Sequence, residues 1–231
     1  MSYSIEEVAR ALGARAFGAT EIAVDGVAEP ADAGPADLAL AMKPDYAEGL
    51  AKGRARAAVV WDGADWQAMG LEAALVAPRP RYVMSGLTKL LDPGQGWGGG
   101  IHPSAVIDPE AELAPDVAVG PLAVICGGAR IGAGSVIGPQ AFVGTDAVLG
   151  EGAFLREGVR IGARVRIGAR FIAQPGCVVG GDGFSYVTPE TSAVEQGRAT
   201  LGDIDGAQAQ SWTRIHSLGG VTIGDDVELG A

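Results

Sequence analysis

The sequence predicts a mainly-β fold: a parallel β-helix of hexapeptide repeats preceded by a small α/β domain. Three observations predict it. Residues 101–178 are thirteen consecutive six-residue units without slippage, and twelve of their first residues are Ile, Leu or Val, with Ala173 the exception. Residues 1–93 lack that count and show helix and strand patterns instead. Between the two regions lies a glycine-rich linker, residues 94–100 (Gly-Gln-Gly-Trp-Gly-Gly-Gly).

In the first region, Ser4 followed by Glu7 is a capping box, and Ile5, Val8, Ala9 and Leu12 share one helical face before Gly13. Residues 21–27 (Glu-Ile-Ala-Val-Asp-Gly-Val) alternate like an exposed strand. Residues 57–61 and 73–77 are short apolar runs, as expected of buried strands. Residues 81–91 read as a helix that ends at Asp92-Pro93.

A period of six fits neither a helix nor simple strand alternation, but it is a signature of parallel β-helices. Each unit supplies one short strand and one turn, and three units close a triangular coil of about 18 residues. Coils stack at the strand spacing of about 4.8 Å. The first-place aliphatics then stack inside the prism, and the small fifth-place residues, alanine at seven of thirteen units, fit its corners. Glycine at the second place (Gly120, Gly132, Gly138, Gly144, Gly150, Gly162, Gly168) is expected to serve the turns. After Val179 the count is lost for about 40 residues and returns at Ile223, two positions out of phase. We therefore place a β-helix over residues 101–231 with an inserted loop at about 182–220. An insertion of this size in a solenoid is commonly a loop on the functional face.

Composition excludes several functions. A net charge of −11 argues against binding nucleic acid or an anionic membrane. No uncharged apolar run approaches the length of a transmembrane helix, and the N-terminus, with two early glutamates, is no secretory signal. Cys126 and Cys177 lack metal-type spacing and are expected to be buried, reduced thiols of a cytoplasmic protein. Two histidines, His102 and His216, cannot make a three-histidine metal site, which excludes a carbonic anhydrase of the same fold.

Three segments carry a family resemblance. Residues 179–186, Val-Gly-Gly-Asp-Gly-Phe-Ser-Tyr, are similar to the Gly-x-Asp-Gly-Phe-Gly-Phe/Tyr stretch of the UDP-3-O-acylglucosamine N-acyltransferases of lipid A synthesis. Residues 214–231, Arg-Ile-His-Ser-Leu-Gly-Gly-Val-Thr-Ile-Gly-Asp-Asp-Val-Glu-Leu-Gly-Ala, resemble that family's Lys-Ile-Pro-Gln-x-Gly-x-Val-x-Ile-Gly-x-x-Val-Glu-Ile-Gly-Ala. Residues 38–46, Leu-Ala-Leu-Ala-Met-Lys-Pro-Asp-Tyr, look like the Leu-Ser-Phe-x-x-Asn-Pro-x-Tyr of its uridine-binding domain. The order of domains matches as well. The resemblance implies a left-handed β-helix, a uridine-nucleotide-binding domain at residues 1–93, and a cytoplasmic homotrimer. It further implies transfer of a 3-hydroxyacyl chain from acyl carrier protein to the 2-amine of UDP-3-O-acylglucosamine, with no metal or redox cofactor. Such chemistry needs a general base for the ammonium proton, a donor for the thioester oxyanion, and an apolar groove for each acyl chain.

The resemblance also implies site residues. Tyr46 matches the family's uracil-stacking tyrosine, within a turn that contains Pro44. Leu40 replaces the second aromatic, and Lys43 replaces the asparagine that reads the uracil edge, so Lys43 could instead approach the diphosphate as a point charge. In the inserted loop, Gly183 permits a tight backbone, and Phe184 and Tyr186 offer an apolar wall. Asp182 can accept hydrogen bonds from a sugar or amine, or close an Asx-turn in its own loop. His216 stands where the family has a proline, beside this loop, and is either a substrate contact or an ordinary surface residue. The family's base is a histidine in an Ala-His-Asn motif that would follow Ala231, so the catalytic residue is unassigned and the chain is expected to be a truncated form of a longer protein. Its open last coil is expected to fold less stably and not to catalyse.

One further pattern is independent of the resemblance. Arg156, Arg160, Arg164, Arg166 and Arg170 stand against a single acid, Glu157, and at this spacing they are expected to point outward from successive coils. They would attract an acidic carrier protein or a diphosphate, or form a solvated face. Two other functions share the repeat: an acetyl-CoA-dependent sugar acetyltransferase, and a trimeric module that binds UDP-sugar without turnover.

Overall fold

The computed structural model describes residues 2–77, 79–97, 99–202, 204 and 209–231, in two compact units, Met1–Gln95 and Gly96–Ala231.

The first unit is a five-stranded sheet in the order Arg15–Gly18, Ala73–Val76, Ala57–Val60, Asp37–Ala41, Gly26–Ala28. The first pair is antiparallel and the rest are parallel. The apolar runs are continuous because both sheet faces are covered. Leu38, Leu40, Val59 and Leu75 pack with the first helix, α1 (Ile5–Leu12), while Ala39, Ala41, Val60 and Val76 pack on the other face with Leu50 and Leu71. The capping box of α1 is formed: the Glu7 backbone N–H donates to the Ser4 hydroxyl at 3.2 Å, and the Ser4 backbone N–H donates to the Glu7 carboxylate at 2.7 Å. A four-residue helix, α2 (Pro44–Ala47), and a longer one, α3 (Pro80–Leu91), complete the unit.

One expectation needs correction. Residues 21–27 are not one exposed strand. Ala23–Val24 pairs with Tyr3–Ser4, Gly26–Ala28 forms the edge of the large sheet, and Ile22 and Val24 are buried. The Asp25 backbone N–H donates to the Ala36 carbonyl between them, so the alternation marks two short strands, each with one covered side.

The second unit is a left-handed parallel β-helix of hexapeptide repeats, built from three five-stranded parallel sheets. Successive two-residue strands fall on successive faces of the prism, and up to Val179 each pairing joins strands 18 positions apart, as Val124 with Phe142 and Phe142 with Arg160. First- and fifth-place residues from Val119 to Val179 fill the core. The two departures in size lie two residues apart: Phe171 at a fifth place and Ala173 at a first place, both fully buried. A large residue where small ones stand is thus offset by a small one where large ones stand.

The second-place glycines do something other than turn the chain. The left-handed backbone falls at the fourth place, where Asp116, Leu122, Gln140, Asp146, Arg164 and Arg170 take φ values between 55° and 63°. There the backbone N–H groups of Gln140, Asp146, Arg164 and Arg170 donate to corner carbonyls of the preceding coil, which holds the corner in place. The second-place glycines are required by close stacking. A Cβ on Gly132 would lie 2.5 Å from the Glu151 nitrogen, and one on Gly162 would lie 2.4 Å from the Gly180 oxygen.

The outward ladders differ among the three faces. One carries Val106, Val124, Phe142, Arg160 and Val178; the second carries Ala118, Val136, Phe154, Ile172 and Glu228. The third carries Glu112, Arg130, Val148, Arg166 and Thr222. Two faces are therefore largely apolar and one is polar. Trp97, from the glycine-rich segment, covers Phe154, with ring centroids 5.6 Å apart.

Four of the five arginines, Arg160, Arg164, Arg166 and Arg170, are exposed as the spacing suggests, but they do not share one face. Arg160 and Arg166 lie on different faces, and Arg164 and Arg170 lie at left-handed corners. Arg156, at a second place, is half-buried, lies 3.5 Å from the Glu157 carboxylate and donates to the Gln174 side-chain Oε1 at 3.4 Å. Their successive spacings of four, four, two and four residues alternate face and corner positions, which spreads the charge around the prism.

The chain leaves the prism after Val178–Val179, and the next strand of the prism, Thr222–Ile223, pairs with Arg166–Ile167 in the neighbouring sheet. The coil is thus completed in register despite the excursion. Two consecutive aspartates fix the return. Asp225 accepts from the Ala169 backbone N–H at 2.8 Å, and Asp226 accepts two bonds from the Arg170 guanidinium at 2.5 and 2.6 Å. The hydrogen bonds from Arg170 hold the Asp226 carboxyl below its ordinary range, and the same pair pushes Arg170 up.

Candidate functional site

Two regions collect the residues singled out from sequence. In the first unit, a cavity of about 560 Å³ is lined by Leu40 and Met42 from the sheet, Lys43 and Tyr46 at α2, and Arg79, Arg81 and Met84 at the start of α3, with Glu29 beside them. Lys43 is in the extended conformation before α2, and its carbonyl accepts from the backbone N–H groups of Tyr46 and Ala47 at 3.1 and 3.2 Å. Pro44, with its fixed φ, sets this turn. The Tyr46 side chain is half-exposed at the cavity. Leu40, Met42 and Met84 also line it, so the site offers one aromatic side chain and several aliphatic ones.

Arg79 and Arg81 were not among the residues expected at this site. Their signal in the sequence is Arg-Pro-Arg immediately before a helix, but only the tertiary fold carries it to Tyr46.

The second region is the excursion from the prism. Its two family-like segments are brought together by a short antiparallel pair, Tyr186–Val187 with Thr213–Arg214. The Ile215 backbone N–H donates to the Ser185 carbonyl at 2.9 Å, and the Gly183 N–H donates to the Ser217 hydroxyl at 2.8 Å. Asp182 does not fold back on its own loop as an Asx-turn; its carboxylate accepts from Arg214 at 2.9 Å. Phe184 and Tyr186 lie with ring centroids 5.1 Å apart at 56°. Between the pair and α4 (Ala193–Thr200) is a cavity of about 620 Å³, walled by Phe184, Tyr186, Val187, Val194 and Trp212. Its polar rim includes Arg198 and Glu195, whose carboxyl is held below its ordinary range by the Ser192 backbone and hydroxyl of the α4 capping box.

Asp182 does not share this aromatic cavity. With Arg164 and Ser217 it lines a smaller cleft of about 130 Å³, floored by the backbone of Gly180, Gly181, Gly219 and Gly220. His216 is exposed beside it. His102 is a surface turn residue, its Nδ1 2.8 Å from the Ser104 hydroxyl. Among the described residues no group of three His, Cys, Asp or Glu side chains is placed to hold a metal ion, and no helix is long and apolar enough to cross a membrane. Cys177 is buried at a fifth place, Cys126 is only half-buried, and both thiols are free.

The stacked coils and their six-residue count define the class. This is a hexapeptide-repeat protein, and the family described as bacterial transferase hexapeptide (six repeats) matches residues 110–145 and 128–163. More particularly, the chain is homologous over its whole length to UDP-3-O-acylglucosamine N-acyltransferases. It is 70% identical to that of Ruegeria pomeroyi and 64% identical to that of Paracoccus denitrificans, in each case across all 231 residues. The chain spans 64% and 63% of the length of these two relatives. Among solved structures, PerB of Caulobacter crescentus, in complex with CoA and GDP-perosamine, is 32% identical over 43% of this chain and 56% of that one, at a TM-score of 0.27. That superposition is too partial to carry an argument.

Proposed function

We propose that this chain serves the transfer of a 3-hydroxyacyl group from acyl carrier protein to the 2-amine of UDP-3-O-acylglucosamine. The observation that carries the reading is the junction of the two excursion segments, in which the Asp182–Arg214 pair and the Gly183–Ser217 bond lie beside an aromatic cavity. The relatives' name supplies the acceptor class, and the cavity at Tyr46 supplies a place for its nucleotide.

In the reaction the acceptor nitrogen attacks the thioester carbonyl, the C–N bond forms, the C–S bond breaks, and the carrier's thiol leaves with a proton. Asp182 is a hydrogen-bond acceptor for the acceptor amine or a sugar hydroxyl, held in orientation by Arg214. Phe184 and Tyr186 provide an apolar wall for acyl carbons. Neither His102 nor His216 is assigned the role of base, since neither stands in an Ala-His-Asn segment.

The two apolar outer faces of the prism suit packing against two further copies around a threefold axis, with the polar face outward. Arg164 and Arg166, both exposed, are suited to attract an acidic carrier protein. We assign the protein to the cytoplasm, where free thiols such as Cys126 and Cys177 persist.

The test is calorimetric titration of UDP-3-O-(3-hydroxyacyl)glucosamine into the protein. Saturable binding that Asp182→Ala or Phe184→Ala weakens by about tenfold or more is expected. No saturable binding by the unaltered chain would overturn the reading.

A further inference from the structure

The cavity between the excursion's strand pair and α4 carries two charged side chains that an apolar wall does not account for. Its other polar side chains are largely engaged: the Thr188 hydroxyl donates to the Glu190 carbonyl at 2.6 Å, and the Ser192 hydroxyl closes the α4 capping box. Oε2 of Glu195 accepts both bonds from Ser192, which leaves Oε1 without a hydrogen bond among the described residues. The Arg198 guanidinium takes part in no hydrogen bond or ion pair among them. Glu195 and Arg198 stand three residues apart on α4, hence on one face of the helix, and both line the cavity. α4 itself lies between the two family-like segments, 179–186 and 214–231, and belongs to neither.

This pair restricts what can occupy the cavity. A carboxylate or phosphate drawn to Arg198 would also meet the Glu195 carboxylate, and an ammonium drawn to Glu195 would meet the Arg198 guanidinium. The bonds from Ser192 hold the Glu195 carboxyl below its ordinary range, so at neutral pH it only accepts hydrogen bonds, whereas Arg198 only donates. A hydroxyl does both. The Tyr186 hydroxyl and the Trp212 indole N–H, which belong to the same lining, are neutral and leave that balance unchanged. The lining therefore suits a neutral hydroxyl carried on an aliphatic chain, with its carbons against the aromatic and valine walls.

We infer that Glu195 and Arg198 are specificity-determining residues that read the 3-hydroxyl of a 3-hydroxyacyl chain. The inference rests on the acyl-transfer reading above and names the part of the chain that is recognised. An unsubstituted chain fills the same walls, but it takes water from two charged groups and returns a hydrogen bond to neither. A 3-hydroxyacyl chain can reach the protein as the ester on the acceptor or as the thioester of the donor, and the test separates the two.

The test is calorimetric titration with two matched pairs. One is UDP-3-O-(3-hydroxyacyl)glucosamine against the same compound with an unsubstituted chain of equal length. The other is 3-hydroxyacyl-pantetheine against acyl-pantetheine. In at least one pair the hydroxylated member should bind about tenfold or more tightly, and that pair identifies the form in which the chain is read. Glu195→Gln keeps the capping box, which accepts glutamine at this place, but exchanges the second carboxylate oxygen for an amide donor. Glu195→Gln and Arg198→Met should each bring the two affinities of that pair within about threefold, while Arg198→Lys, which still donates, should keep most of the preference. Both positions are exposed, so the variants should unfold close to the parent's urea midpoint. Equal binding within both pairs, or a preference that survives Glu195→Gln and Arg198→Met, would overturn the inference and leave the acyl-transfer reading intact. Absence of binding by all four ligands would overturn both.

Discussion

The prism and the excursion that leaves it share one chain and obey opposite rules. In the prism, Phe171, Leu155 and Ile161 are fully buried and the coils are bonded to one another along all three faces. In the excursion, Phe184 is 95% exposed, Leu201 98% and Leu218 90%, and among the described residues the regular structure consists of one two-residue strand pair and the eight-residue α4. The periodic segment spends its apolar side chains on a core. The aperiodic one displays them, and exposed apolar clusters mark binding surfaces. What the difference teaches is that in this solenoid the break in the count, rather than the count, is where large apolar side chains meet solvent.

Substitutions can break this comparison if it is wrong. The largest effect should come from Gly132→Val. Its side chain would press on the backbone of the next coil, and the prism should lose at least about 3 kcal/mol or fail to fold cooperatively, as read by urea denaturation. Phe171→Ala leaves a cavity in the core and should cost about 3–5 kcal/mol in the same measurement. Phe184→Ala should move stability by less than about 0.5 kcal/mol, while lowering affinity for the acylated acceptor. A large stability loss there would mean that the excursion is structural after all.

The smallest effect concerns the point where the two regions rejoin. Asp226, held below its ordinary range by Arg170, stabilises the folded state at neutral pH. Because its folded value is depressed, that contribution is present above the unfolded value of about 3.9 and disappears as pH falls through the lower folded value. Asp226→Asn should therefore be slightly less stable than the parent chain at about pH 7, with the gap closing as pH falls through the depressed folded value when denaturation midpoints are compared. A gap that persists at the acid end would show that the carboxylate's charge is not what secures the return.

Much of the fold was legible because its signal is local. The first-place aliphatics name the register, and the Ser4/Glu7 box names the start of α1. The purpose of the second-place glycines was not legible. The atom that a side chain would strike on Gly132 belongs to Glu151, in the next coil. The left-handed corners gave no signal either, since Leu122, Gln140, Arg164 and Arg170 share no chemistry, and their backbone N–H groups donate hydrogen bonds to acceptors in the coil before. In the excursion, Ser192 and Glu195 spelled out the cap of α4 and could have been read by the rule that found α1. At the candidate sites, Lys43 and Tyr46 were legible because they share one short motif. Arg79 and Arg81 join them only across the sheet's end.

The excursion departs from one side of a coil and re-enters at the next, with Arg166–Ile167 receiving the returning strand as though nothing had intervened. Closing such a loop is nearly indifferent to its size, since doubling its length adds only about 0.6 kcal/mol. The corner after Val179 is therefore an evolutionary socket. Descendants of this chain can lengthen, shorten or rewrite what is plugged in there, and so change what is recognised, without renegotiating a single contact of the core that holds it.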